Sequence, residues 1–277
     1  MNRRRQRPTP RPPLLALLGS VQVILNASGF GKFTFRASVP AGGGTTFTAT
    51  TSIPYNFPAI TSTFSDPLAI GGNANSLFVA STYGLLLNRY PDPNAVFWVN
   101  LLNNGGSTAG VVPGIESSPE YLNDQVVAMY NRYPHRDPDT SGALAWTNFL
   151  VAGGSLEQMA GALVSSQEYF ALQGGTNQAF LIALYRDTLT RDAGFGELAG
   201  WVTALDTGVS RATVGVVFFT SQEYRVLLVQ ADYLTFLLRS ADSFGVTSWV
   251  NALNAGATDQ QVLALIFGSA EGYQLWS

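Results

Sequence analysis

The sequence predicts a mainly α-helical fold: four helical repeats stacked in a compact bundle or short solenoid, preceded by a small, incomplete antiparallel β module. Three observations predict it. A tryptophan-centred pattern recurs four times between residue 76 and the end of the 277-residue chain. The first 65 residues instead alternate polar and apolar side chains with period two, between glycine and proline turns. The charge divides at the same place: seven basic side chains and no acid precede Asp66, whereas the remainder carries eight basic and eighteen acidic ones, net −10. An apolar fraction of 46% is enough to bury a core, which excludes wholesale disorder.

Residues 1–13 read as a disordered basic start, with Arg3, Arg4, Arg5, Arg7 and Arg11 set among prolines. The apolar stretch 14–25 has two readings. It is either the hydrophobic part of a secretion signal without a clear small-x-small cleavage site, or a buried strand in which Val21, Val23 and Leu25 alternate. Twelve residues are too few to span a bilayer as a helix. Strand periodicity continues through Lys32-Phe33-Thr34-Phe35-Arg36 and Thr45 to Ser52, so 14–66 reads as sandwich-like strands. On Leu18-Gly19-Ser20-Val21, the 26–31 hairpin, Phe47-Thr48-Ala49-Thr50 and Thr61-Ser62-Thr63-Phe64-Ser65, this segment resembles the last strands of immunoglobulin-like modules in large bacterial surface and secreted proteins. A sandwich needs about seven strands, so the chain is expected to begin inside a larger module. The resemblance implies an extracellular or cell-surface setting. Residues 67–75 form a linker, and 76–277 the helical repeat domain.

Four copies are centred on Trp98, Trp146, Trp201 and Trp249. Leucine follows four residues later (Leu102, Leu150, Leu205, Leu253), placing Trp and Leu on one helix face as an apolar stripe for burial. Glycine follows at seven (Gly105, Gly153, Gly208, Gly256), where a left-handed residue ends a helix. A hydroxyl at nine caps the next helix, with full capping boxes at Ser155-Leu156-Glu157-Gln158 and Thr258-Asp259-Gln260-Gln261. Glu120, Glu168, Glu223 and Glu271 lie 22 residues on and read as closing further boxes, such as Ser165-Ser166-Gln167-Glu168, with Gly268 in the cap position of copy four. Long helices carrying Tyr83, Tyr130, Tyr185 and Tyr233 precede the tryptophans and close on turns containing Arg136, Arg191 or Arg239. Tyr121 to Tyr130 and Tyr224 to Tyr233 each span nine residues, but Tyr169 to Tyr185 spans sixteen. The insertion predicts continuous helices within copy pairs one–two and three–four, and a broken joint at 173–177.

On Leu184-Tyr185-Arg186-Asp187, Arg191-Asp192, Trp201, Leu205, Gly208 and Ser221-Gln222-Glu223-Tyr224, residues 76–277 resemble the bacterial domain-of-unknown-function 4214 repeats. The resemblance implies a repeat of large secreted or surface-layer-associated proteins, distantly similar to phycobilisome linker domains. It carries no catalytic residues across.

Chemistry is sparse. Without cysteine and with one histidine, His135, the chain has no thiolate zinc site, cysteine nucleophile or two-histidine metal site. The equivalent glutamates suit capping better than glycoside hydrolysis, because a catalytic pair needs two different environments. The tryptophans are expected to be core rather than sugar platforms. Asp137, Asp139 and Ser141 match the start of a calcium loop, but Asn148 stands where its bidentate glutamate belongs, so a capped turn is the simpler reading. No cofactor is expected. Nucleic acid is disfavoured by the −10 charge. Other surface proteins or polysaccharide are the expected partners, and no transmembrane helix is predicted. The expected function is a non-catalytic structural or adhesion module of an exported protein, with a carbohydrate- or cell-wall-binding module as alternative and a glycoside-directed enzyme third.

Overall fold

Left-handed glycines punctuate the helical part where the pattern requires: Gly105, Gly153, Gly208 and Gly256 have φ of 84°, 94°, 105° and 101°. The structure, a computed structural model, describes residues 73–277 and, before them, the backbone of two short strands. These are β1 (Thr46–Ala49) and β2 (Ile60–Thr63), antiparallel with Thr46 opposite Thr63. The basic start, the strand-or-signal alternative at 14–25 and the immunoglobulin-like module as a whole lie outside the described residues.

Fourteen α-helices lie among the described residues. Each copy has a long helix: α1 (Ala74–Leu87), α4 (Pro119–Arg132), α8 (Asn177–Leu189) or α11 (Gln222–Phe236). A tryptophan helix follows: α2 (Val96–Asn103), α5 (Thr140–Val151), α9 (Phe195–Asp206) or α12 (Ser243–Asn254). A third helix completes the unit: α3 (Thr108–Glu116), α6 (Leu156–Ser165), α10 (Arg211–Phe219) or α13 (Asp259–Phe267). Two short helices, α7 (Gln167–Leu172) and α14 (Ala270–Trp276), remain. Long and tryptophan helices pair as antiparallel hairpins, because the start of one meets the end of the other. Asn75 donates to Asn103 at 2.8 Å, Asn177 donates to Asp206 at 2.7 Å, and Arg225 donates to Asn254.

The joints follow the spacing. Helices α4 and α11 run unbroken, whereas α7 stops at Leu172, Gly174 and Gly175 take positive φ, and Thr176 caps α8 by accepting from the Ala179 amide. Seven extra residues thus become a break and a new start. The Ser155 and Thr258 boxes form reciprocally, through Gln158 and Gln261.

Two expectations are overturned. The residue capping α4, α7, α11 and α14 is Ser118, Ser166, Ser221 or Ser269, each accepting from the amide three residues on. Glu120, Glu168, Glu223 and Glu271 therefore stand two residues past the cap rather than three, and cannot close the boxes read for them. In copy four Ser269, not Gly268, is the cap. The second correction concerns depth. Leu102, Leu150, Leu205 and Leu253 are buried, but Trp98, Trp146, Trp201 and Trp249 are only half-buried. Tryptophan lies at the edge of the stripe whose centre is leucine.

The chain divides into two compact units. The first comprises Pro113–Asp232 and Ala241–Leu265. At its centre Tyr133 meets Tyr169 and Phe219 edge-on, with ring centroids 6.4 and 5.9 Å apart. Helices α6 and α10 cross there with Gly161 facing Gly215. A Cβ on Gly215 would lie 3.1 Å from the Gly161 carbonyl oxygen, tighter than most such contacts, so the close approach favours glycine. The second unit contains 73–112, Tyr233–Ser240 and Ile266–Ser277 among the described residues. In it α14 packs on α1. Phe78 contacts Phe267 and Tyr273, Tyr273 donates to Asn75 at 2.7 Å, and the Trp276 indole donates to the Phe236 carbonyl at 2.6 Å.

Candidate functional site

One constellation recurs. Each long helix leads into a single left-handed residue: Asn88, His135, Thr190 or Leu238, with φ between 51° and 58°. This residue reverses the chain, so the arginine after it returns over the helix it has left. Arg89, Arg136, Arg191 and Arg239 lie over the rings of Tyr83, Tyr130, Tyr185 and Tyr233 at 5.0, 5.1, 5.0 and 4.9 Å. Six residues separate tyrosine from arginine each time.

The guanidinium then reaches a glutamate 32 residues further on. Arg136 holds Glu168 with two hydrogen bonds of 2.6 and 2.9 Å, and Arg239 holds Glu271 at 2.6 and 2.7 Å. Arg191 holds Glu223 at 2.5 and 2.8 Å, and Glu197 as well at 2.8 and 2.9 Å. This fork-to-fork geometry is the strong form of the pair. It ties the turn after a long helix to the first turn of a later helix, where a carboxylate also favours the dipole. In copy one Arg89 bonds the Tyr90 carbonyl and Asp92.

The electrostatics follow from the hydrogen bonds. Arg191 holds the Glu223 carboxyl below its usual range, and Arg136 does the same to Glu168. Glu197, gripped by Arg191 and by the Gly194 amide, is brought down to about 2. These carboxylates are ionised at neutral pH with their oxygens engaged by a fixed cation. Both members of the Glu197–Glu223 pair are drawn towards the ionised form by the same arginine. The arrangement clasps helices together.

The other residues singled out by sequence are placed as follows. Asp139 caps α5, accepting from the Gly142 amide at 2.8 Å and the Ser141 hydroxyl at 2.5 Å, while Asp137 accepts from Asn131 at 3.0 Å. Among the described residues no group of three His, Cys, Asp or Glu side chains is placed to hold a metal ion. Exposed His135 serves as the left-handed hinge. Trp201 packs on Phe218, with ring centroids 5.8 Å apart. A shallow cleft of about 130 Å³ lies between α11 and α12, walled by Gln222, Asn251, Asn254, Val226 and Val250. Among the described residues no helix is long and apolar enough to cross a membrane.

Sequence reading found the tyrosine, arginine and glutamate columns but not their union. The constant 32-residue offset was the available signal. The hinge was hidden because its four occupants share no side-chain chemistry. No curated protein and no solved structure matches the chain. Residues 163–228 and 228–276, which carry copies three and four with their Arg191 and Arg239 clasps, match the family model described as Domain of unknown function (DUF4214).

Proposed function

We propose that the helical part is a non-catalytic structural or adhesion scaffold of an exported bacterial protein, with four stacked copies of one unit. The observation that carries this reading is the clasp: an arginine and a glutamate hold each other at equivalent places in three copies. An active site breaks the symmetry of a repeat, whereas a scaffold preserves it. The test is retention of the purified full chain on bacterial envelopes before and after protease treatment, alongside fractionation of the native protein. Retention that protease abolishes, with the chain found outside the cytoplasm, is the expected result. A wholly cytoplasmic chain, or glycoside turnover lost on Glu223→Gln, would overturn the reading.

A second reading, polysaccharide binding, is favoured by the half-exposed tryptophans and by the cleft lined with carboxamides and valines. Sugars stack on aromatic faces while amides bond their hydroxyls. A glycan array decides between the two: a specific hit weakened by Trp249→Ala selects this second reading.

A further inference from the structure

The repeat register identifies two positions where a carboxyl stands in place of an apolar side chain found in other copies. Eighteen residues beyond the tryptophan, the last turn of the third helix carries Val164, Phe219 and Phe267 in copies two, three and four, all essentially inaccessible. Copy one has Glu116, which is 3% exposed and has neither carboxyl oxygen hydrogen-bonded among the described residues. Seventeen residues before the tryptophan, copy three has the fully buried Leu184 and copy two Met129, but copy four has Asp232. Asp232 is 7% exposed with one oxygen unpartnered. Both carboxyls belong to the first unit, and they act on each other and on Asp259, the first residue of α13, whose Oδ1 is also sealed and unpartnered.

We propose that Glu116, Asp232 and Asp259 form a proton-holding cluster, a pH-sensitive device that tightens the first unit while the carboxyls are neutral and loosens it when they ionise. The titratable groups acting with it come from three helices: Tyr121 of α4 with all three carboxyls, Glu157 of α6 with Asp259, and Tyr224 of α11 with Asp259. Among the described residues, the charges acting on the three carboxyls are those of other carboxyls. Ionising a carboxyl whose oxygens are sealed in this way is costly, and only Asp259 is eased, by the amide bonds it receives at its helix start. Burial, with mutual repulsion second, pushes Glu116 up to about 9, and burial pushes Asp259 up to about 8. Asp232 is raised for the same reasons. The folded chain therefore binds more protons than the unfolded chain above the ordinary carboxyl range. Its stability is greatest below about pH 4.5 in this respect, and is lost progressively as pH rises towards 9.

The experiment is thermal unfolding of the full chain from pH 4.5 to 9.5 for wild type, Glu116→Gln, Glu116→Val and the surface control Glu168→Gln. The expected result is a midpoint that falls by several degrees across this span in wild type and Glu168→Gln. The fall should be shallower in Glu116→Gln and in Glu116→Val, which carries the residue of copy two. A wild-type midpoint level or rising between pH 5 and 9 would overturn the proposal. So would a folded Glu116 variant that keeps the full wild-type slope. Should neither Glu116 variant fold, infrared spectra of wild type decide. A protonated-carboxyl band at pH 7 that disappears near pH 9 supports the cluster, and ionised carboxylates alone at pH 7 overturn it.

Discussion

Thr190 shows what a single residue contributes here. Its φ of 56° is required by the reversal that sends Arg191 back over Tyr185, yet a β-branched side chain is strained in that region. Asn88 performs the same turn in copy one with a residue suited to it. Thr190→Asn is therefore expected to stabilise the protein by about 0.5–1 kcal/mol, less than the full left-handed penalty because the unfolded chain also changes. A higher urea midpoint with unchanged slope is the readout, and an unchanged midpoint would show that the turn is not strained. Depth is the other lesson at this scale. Trp and Leu share a helix face, which the i, i+4 spacing makes legible, but spacing alone does not tell which of the two faces the interior. Leu205 is buried while Trp201 is half-buried. Leu205→Ala should therefore cost about 2–5 kcal/mol, and Trp201→Ala less despite its larger side chain. Acrylamide should quench the tryptophans to an intermediate degree.

Between elements, two contacts hold the helices of the first unit in register. At the α6–α10 crossing the space is unequal on the two sides. A Cβ on Gly215 would meet the Gly161 carbonyl oxygen at 3.1 Å, whereas one on Gly161 would find its nearest neighbours at 3.9 Å. Gly215→Ala is thus expected to destabilise by about 1–3 kcal/mol through overpacking. Gly161→Ala should be neutral or up to about 1 kcal/mol stabilising, since alanine favours helix. Equal losses in both would mean that the crossing does not depend on the backbone approach. The clasp is the second contact. Arg191→Ala loses two carboxylate partners and a ring, and about 1 kcal/mol is expected at this largely solvated site. Arg136→Ala, with one carboxylate, should lower the unfolding midpoint less. Helices, the Ser155 and Thr258 boxes, the left-handed glycines and the joint at 173–177 were legible because each is decided within one turn of chain. The shift of the caps to Ser118, Ser166, Ser221 and Ser269 was not. In copies one to three two adjacent hydroxyl residues compete for the cap, and the local pattern does not decide between them.

Across the whole molecule, two populations of carboxyl titrate in opposite senses. Glu168, Glu197 and Glu223 are held below their usual range by arginine, so what they contribute is present above about pH 4.5 and lost as pH falls towards 2. Glu116, Asp232 and Asp259 act the other way, through pH 9. Stability should therefore peak near pH 5, in a chain whose charge is −3 at pH 7. Net negative charge by itself would also weaken the fold as pH rises, through repulsion over the surface of the acidic helical part. Salt separates the two causes. At about 1 M ionic strength the Debye length shrinks to about 3 Å, which screens surface repulsion and the half-exposed clasps but not a buried cluster. The acid limb of the midpoint-against-pH curve should flatten on raising salt from about 0.05 to 1 M, while the alkaline limb keeps its slope. An alkaline limb that vanished with salt would assign the whole effect to surface charge and leave Glu116 no role in it.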